Sequence, residues 1–282
     1  MRATGAEQVE DGREETMPGF RTTIAAVAAG DVLVRGSLTT QDVFAVQQAL
    51  SACLRTAPSV DHTRIKLARY AVRDEAPLYV VQVNVEREHR MVRGQDSGSS
   101  LAHAVDRVCA ALPARLWRLR RYLSADTAGP PTYGPDGWEY RGPRVVPAIR
   151  RPVGKARGLV RHKSAALPVQ DRDAAALTMD LRDYDFHLFA DDHTGQDAVV
   201  YRADPAGYRV AFAGPVDHRL PPIAAPVVID AEPLPELRLP DAVQRLDAGV
   251  LPFLAFVTTT SGRAAVLYRR FDGHLGIVTP IW

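Results

Sequence analysis

At 282 residues, with 46% hydrophobic and 24% charged residues, the chain has the composition of a soluble globular protein and the length of about two domains or three small ones. No apolar run approaches the roughly 18 residues of a transmembrane helix. The acidic start (Glu7, Glu10, Asp11, Glu14, Glu15) does not suit a signal peptide, and two cysteines are too few for a disulfide-stapled secreted domain, so a cytoplasmic protein is expected. The net charge of +2 hides an asymmetry. Residues 31–123 hold 14 basic and 9 acidic groups and residues 124–158 hold 6 and 3, against 3 and 5 in residues 1–30 and 12 and 16 in residues 159–282. A basic middle joined to an acidic end suggests a polyanion as the partner of the former.

Residues 1–30 lack periodicity and read as a flexible extension, with Met17 as an alternative start. A short strand is expected over Asp31–Gly36. Thr39 with Asp42 has the spacing of a capping box, behind which Val43, Val46, Leu50 and Leu54 recur at helical spacing. Thr63–Val72 and Leu78–Arg87 alternate as strands, the second with Tyr79, Val81, Val83 and Val85 on one face; Met91–Gln95 reads as a shorter partner. Ser99–Leu123 is a second amphipathic helix with Leu101, Val105, Val108, Leu112, Leu116 and Leu119 on one side. The order β-α-β-β-β-α over 31–123 predicts an α+β domain with two helices on one sheet face. From 124 to 157, prolines and arginines without apolar periodicity predict a stiff, extended linker rather than a packed layer.

The rest of the chain repeats itself. A shift of 67 positions, without gaps, places Phe186, Phe189, Gly195, Ala198, Val199, Tyr201 and Arg202 on Phe253, Phe256, Gly262, Ala265, Val266, Tyr268 and Arg269. Two tandem modules follow, 158–213 and 226–282, joined by the Pro-rich segment 214–225; each reads as a strand, a helix and a terminal meander. Pro240 suits the first turn of the second copy's helix and Gly249 its end, while Thr194-Gly195 and Ser261-Gly262 mark hairpin turns.

These motifs resemble the long ribosome hibernation-promoting factors, also called sigma-54-modulation proteins. The first copy reads Asp185-Phe-His-Leu-Phe189, Thr194-Gly195 and Val199-Val-Tyr-Arg202. The second reads Phe253-Leu-Ala-Phe256, Ser261-Gly262, Val266-Leu-Tyr-Arg-Arg270 and Asp272-Gly-His-Leu-Gly-Ile277. Leu101, Ala104-Val105-Asp106, Leu112, Leu116, Arg118 and Arg120 resemble the family's last N-domain helix, although its basic positions are Ala111 and Ala114 here and Pro113 is expected to interrupt the helix. A second C-terminal copy resembles the dormancy-associated actinobacterial variant. The resemblance implies an N-domain that binds the small ribosomal subunit in the channel used by mRNA and tRNA, blocking translation and protecting idle ribosomes. It also implies a dimerising C-terminal module.

Under that resemblance the candidate rRNA contacts are Arg107, Arg118 and Arg121, within about 60° of arc on one helix face, with Arg115 and Arg120 beside them. Arg64, Lys66, Arg90 and Arg93 extend the set over the strands. Arginine suits phosphates because its planar fork bonds bidentately. The candidate module-pairing residues are Phe186, Phe189, Val199, Tyr201, Phe253, Phe256, Val266 and Tyr268. A unit of about 55 residues buries little surface alone. Two copies on one tether therefore predict intrachain pairing, a pseudo-dimer inside a monomer. Cys53 and Cys109 read as core-edge thiols, Trp117 as partly buried packing, and Asp191-Asp192-His193 as a turn rather than a metal site. No motif proposes catalysis, a cofactor, a metal, a small-molecule substrate or a membrane. Two competing readings are a double-stranded RNA-binding regulator and a protein-interaction adaptor acting through the acidic repeats.

Overall fold

The computed structural model describes residues 30–71, 76–125, 138–139, 158–203, 207–216, 220–249 and 251–281. The expected flexible extension and most of the expected linker lie outside these residues. The described part is an α+β structure with three sheets and four helices.

The first sheet has the order β1 (Gly30–Arg35), β2 (His62–Tyr70), β3 (Leu78–Arg87), β4 (Arg90–Gly98), with β1 parallel to β2 and the others antiparallel. Helices α1 (Thr40–Leu54) and α2 (Leu101–Ala125) cover one face. The capping box sets the start of α1: Thr39 Oγ1 accepts from the Asp42 amide at 3.1 Å and Asp42 accepts from the Thr39 amide at 2.8 Å. The Thr39 amide and hydroxyl, both donating to Asp42 Oδ2, hold that carboxyl below the ordinary carboxylate range. Strand alternation sends Ile65, Leu67, Val81, Val83, Val85 and Val92 inward against Val46, Leu50, Val108, Leu112, Leu116 and Leu119. Only Glu88 and His89 separate β3 from β4, both with positive φ (49° and 59°), the backbone of a type I′ hairpin.

Two expectations need correction. Pro113 does not interrupt α2, which runs unbroken through it. An internal proline costs on the order of 3 kcal/mol, and the burial of Leu112, Leu116 and Leu119 on the same helix offsets it. Nor is the linker simply an extended spacer. Trp138 is buried and packs edge-to-face on Tyr208, with ring centroids 5.9 Å apart.

In the repeated part, β6 (Val169–Gln170), α3 (Arg172–Leu181), β7 (Phe186–Asp191), β8 (Asp197–Arg202) and β9 (Tyr208–Phe212) form the first copy. Its counterparts are β11 (Glu236–Leu237), α4 (Leu239–Ala248), β12 (Phe253–Thr258), β13 (Ala264–Arg269) and β14 (Leu275–Pro280). The opening strands change places. β5 (Leu159–Ala165), which precedes the first copy, pairs in parallel with β14, while β10 (Val227–Ile229), which precedes the second, pairs with β9. The resulting sheets run β10-β9-β8-β7-β6 and β11-β12-β13-β14-β5. Gly195 and Gly262 supply the positive φ (68° and 65°) of the equivalent hairpin turns. Pro240 lies in the first turn of α4, and Gly249 caps its end with extended backbone.

Alternation gives each small sheet two apolar faces. Phe189 packs with Ala175, Ala176 and Met179 of α3, and Phe256 packs with Ala242 and Leu246 of α4. These two phenylalanines therefore face their own helices, not the other copy, because they stand an odd number of residues from Phe186 and Phe253. Phe186, Val199, Tyr201, Phe253 and Val266 join a separate cluster built from both copies. Within it the Phe186 and Phe253 rings lie 4.9 Å apart, and Tyr268 lies 5.9 Å from Phe186. At its border Asp197 accepts from Arg263 Nε at 2.7 Å and from the Ala264 amide at 3.0 Å.

Candidate nucleic-acid interface

The outward face of α2 begins with Arg107, whose side chain is about half exposed and pairs with Asp96 at 3.1 Å. Arg120 and Arg121 are exposed one helical stretch further on. Arg120 lies over the ring of Trp117, 4.9 Å from its centroid, and the Trp117 indole donates to Thr56 O at 3.2 Å across the helix pair. With 43% of its surface exposed, Trp117 is less buried than expected. These three arginines offer the planar, multiple donors that phosphate oxygens take up.

Arg120 lies about 140° round the helix axis from Arg107, and the remaining predicted cations lie elsewhere. Arg64 and Lys66 alternate with the inward-facing Ile65 and Leu67, so they occupy the sheet face opposite the helices. Arg64 is half exposed and pairs with Asp31 at 3.5 Å. Arg93 is on that same far face by its register with Asn84, and its guanidinium stacks over Tyr184 at 5.2 Å. Arg90 is exposed at the β3–β4 hairpin.

Arg115 and Arg118 turn away from solvent. Arg115 is buried, with Nη2 2.6 Å from Glu139 Oε1 and 2.7 Å from Asp183 Oδ1, and with Nη1 donating to the carbonyl of Arg93 at 2.9 Å. Asp183, held at φ 53°, accepts from the amide of Gln95 at 2.6 Å. The Arg115–Asp183 pair thus satisfies the outer edge of β4 as a neighbouring strand's peptide groups would, and it blunts an otherwise open edge. Burial pushes the Arg115 guanidinium toward neutrality, but Glu139 and Asp183 outweigh that and keep it charged. Arg118 is mostly buried, 3.8 Å from Glu139. Both guanidinium groups are turned toward carboxylates of this chain, so neither Arg115 nor Arg118 stands exposed as Arg107 does.

Glu139 belongs to a larger junction. Its amide donates to Asp180 Oδ2 at 3.0 Å, and its carbonyl accepts from Arg202 Nη1 at 3.1 Å. Arg202 pairs with Asp180 at 2.8 Å, and the Tyr208 hydroxyl donates to Asp180 at 2.6 Å. Burial raises the Asp180 carboxyl against the pull of Arg202, and burial with the Asp180 charge raises the Tyr208 hydroxyl. The junction fastens α2 and β4 to the first copy, and its apolar surround is continuous from one to the other. Sequence reasoning missed Glu139, Asp180, Asp183 and Tyr208. The lone Trp138-Glu139 pair inside a Pro/Arg run was the signal available.

Residues 155–210 match the sequence profile described as Sigma 54 modulation/S30EA ribosomal protein C terminus. This stretch is thus similar to an S30EA-type C-terminal module. The matched stretch runs from β5 into β9 and includes the junction residues Asp180, Asp183, Arg202 and Tyr208. The chain is also similar to proteins described as "Dormancy associated translation inhibitor" from two strains of Mycobacterium tuberculosis, CDC 1551/Oshkosh and H37Rv. Each is 42% identical over 125 residues, which is 41% of this chain and 43% of the relative. The match therefore spans less than half the length of those relatives. Among solved structures, a ribosomal subunit interface protein from Coxiella burnetii aligns at 11% identity and the N-terminal domain of Protein Y from Thermus thermophilus at 17%. Both alignments have a TM-score of 0.26 and cover 32% of this chain, with 97% and 96% of the respective structures.

Among the described residues no group of three or more His, Cys, Asp or Glu side chains is placed to hold a metal ion, and no helix is long and apolar enough to cross a membrane. In the Asp191-Asp192-His193 turn, the Asp191 carboxylate accepts from the amide and hydroxyl of Thr194, both at 2.9 Å.

Proposed function

We propose that this chain is a ribosome hibernation factor. Residues 31–123 bind the small ribosomal subunit in the mRNA/tRNA channel, inhibit translation and stabilise idle ribosomes, while the two C-terminal modules pair within the chain. The observation that carries the reading is an S30EA-type module fastened to a β-α-β-β-β-α domain whose last helix presents Arg107, Arg120 and Arg121 outward. The 42% identity to a dormancy associated translation inhibitor supports the inhibitory role. Cytoplasmic location follows from the same reading.

The intrachain pairing is supported by which residues meet. Phe186 and Phe253 are equivalent positions of the repeat, as are Asp197 and Ala264, and each residue touches its own counterpart. Contact between equivalents is what a two-fold relation produces near its axis. The exchange of β5 and β10 makes each sheet incomplete without the other copy. A short tether holds the copies at an effective concentration on the order of millimolar, so pairing between chains is outcompeted and ribosomes are held singly.

Sucrose-gradient co-sedimentation with purified ribosomes tests the reading. Wild-type protein is expected to travel with the small subunit, with affinity falling steeply as salt rises because displaced counterions drive phosphate binding. The variant with Arg107, Arg120 and Arg121 changed to Glu is expected to stay at the top of the gradient with its circular dichroism unchanged. Undiminished co-sedimentation of that variant contradicts the reading. A preference for free duplex RNA over ribosomes would favour a duplex-RNA regulator instead.

A further inference from the structure

The two cysteines of the chain, 56 positions apart in sequence, meet across the helix pair of the N-domain. Cys53 sits in the last turn of α1 and Cys109 near the middle of α2. Cys109 Sγ lies 3.9 Å from the carbonyl of Ala49, one helical turn before Cys53 on the same helix, so its thiol rests on the end of α1. In an α-helix that carbonyl accepts from the amide of residue 53, so the Cys109 sulfur lies beside the residue that carries the other thiol, and each thiol shifts the ionisation of the other. Both are partly buried, neither is sealed in the core, and both are free thiols in this structure. A structural reason for one cysteine at each position would be small apolar packing. Packing alone does not call for two thiols to face one another.

We propose that Cys53 and Cys109 form an intramolecular disulfide site, oxidised by exchange with a low-molecular-weight disulfide, which reversibly clamps α1 to α2. Cys109 makes the first attack, because the neighbouring Cys53 favours its thiolate against burial and the nearby Asp106 carboxylate, while Cys109 and burial disfavour a thiolate at Cys53. The Cys109 thiolate attacks one sulfur of the small disulfide, the sulfur–sulfur bond breaks, and one small thiolate leaves. A mixed disulfide then stands on Cys109. Cys53, giving up its proton, attacks the Cys109 sulfur, and the second small thiolate leaves. Two protein thiols are oxidised, one small disulfide is reduced to two thiols, and the bond left behind joins residues 53 and 109.

The clamp acts on the domain that carries the candidate RNA interface. It encloses β2, β3 and β4 in one covalent loop, which restricts the unfolded chain and the sliding of α1 along α2. Arg107 and Trp117, on either side of Cys109, stand on the helix that the bond would fix.

The test uses the full chain under native conditions with oxidised glutathione as the probe, an acid quench, and intact-mass and peptide-map analysis. Wild-type protein is expected to lose two hydrogen masses, to retain no glutathione, to yield one peptide linking residues 53 and 109, and to melt at a higher temperature until reductant is added. The Cys53→Ser variant, which cannot complete the second step, is expected to retain one glutathione on Cys109. Three outcomes overturn the proposal: wild-type protein that keeps glutathione on either cysteine or does not react, a link that forms between chains, or a link that appears only after urea unfolding. None of these readouts depends on ribosome binding, so failure here and failure of the proposed function are distinguishable.

Discussion

The two copies of the repeated module share a corner and differ in what they do with it. In the first copy Arg202 Nε donates to the carbonyl of Tyr184 at 3.0 Å; in the second, Arg269 Nε donates to the carbonyl of Leu251 at 3.1 Å. These are equivalent positions, so the arginine's basic task is to fix the turn between helix and meander. Beyond that the copies part. Arg202 extends to Asp180 and to the carbonyl of Glu139, with no exposed surface left on its side chain. Arg269 extends to the carbonyls of Gly249 and Leu246 within its own copy, and Asp247, the counterpart of Asp180, stands 3.6 Å away and 40% exposed. Where the first copy has Asp183, Tyr184 and Tyr208, the second has Val250, Leu251 and Leu275. The first copy therefore grips the N-terminal domain through this corner, the second closes the corner on itself, and both give a sheet face to the shared apolar cluster.

The sharpest way to break this comparison is to remove the arginine from each copy in turn. Arg202→Met leaves the buried Asp180 carboxylate without its cation, and breaking a buried pair costs about 3–5 kcal/mol. Arg269→Met loses backbone bonds but leaves only a partly exposed carboxylate, at about 1–3 kcal/mol. Urea unfolding of both variants checks the order, and equal losses contradict the division of labour.

A second contrast lies in His187, where the other copy has Leu254. Burial, with a smaller contribution from Arg182, holds the imidazole down at about 4, and its Nε2 pairs with Gln170 at 2.9 Å. The unfolded chain takes up this proton near pH 6.5, whereas the folded chain stays neutral until about pH 4. Stability contributed by this site is therefore complete above pH 6.5 and declines as pH falls toward 4, by up to about 3 kcal/mol. His187→Leu is expected to flatten that part of the stability–pH curve, and an unchanged slope assigns the acid sensitivity elsewhere.

The smallest effect concerns the contact between equivalents. A double-mutant cycle of Phe186→Leu and Phe253→Leu is expected to give a coupling of about 0.5–1.5 kcal/mol, as for aromatic pairs in contact. Zero coupling means that the rings do not meet in solution.

Much of this structure could be read in the chain. The capping box at Thr39, the alternation of Leu78–Arg87 and the glycines at 195 and 262 act through local sterics and hydrogen bonding, which short spacings encode. What could not be read depends on partners distant in sequence. The exchange of β5 and β10 leaves each strand's own pattern unchanged, since only the identity of its neighbour differs. Arg115 stands seven residues after Val108 and three after Leu112, at the edge of the apolar stripe, but its partners Asp183 and Glu139 come from distant parts of the chain that no local spacing names. The placing of Phe189 and Phe256 against their own helices was available in principle, because residues three apart on a strand cannot share a face.

The central claim is that the two modules pair with each other inside one chain. Multi-angle light scattering of the full-length protein at micromolar concentration tests it most directly. The account predicts the mass of a single chain, unchanged on dilution, because the tethered partner is always the nearer one. A stable two-chain mass at that concentration would show that the modules pair between chains and would contradict it.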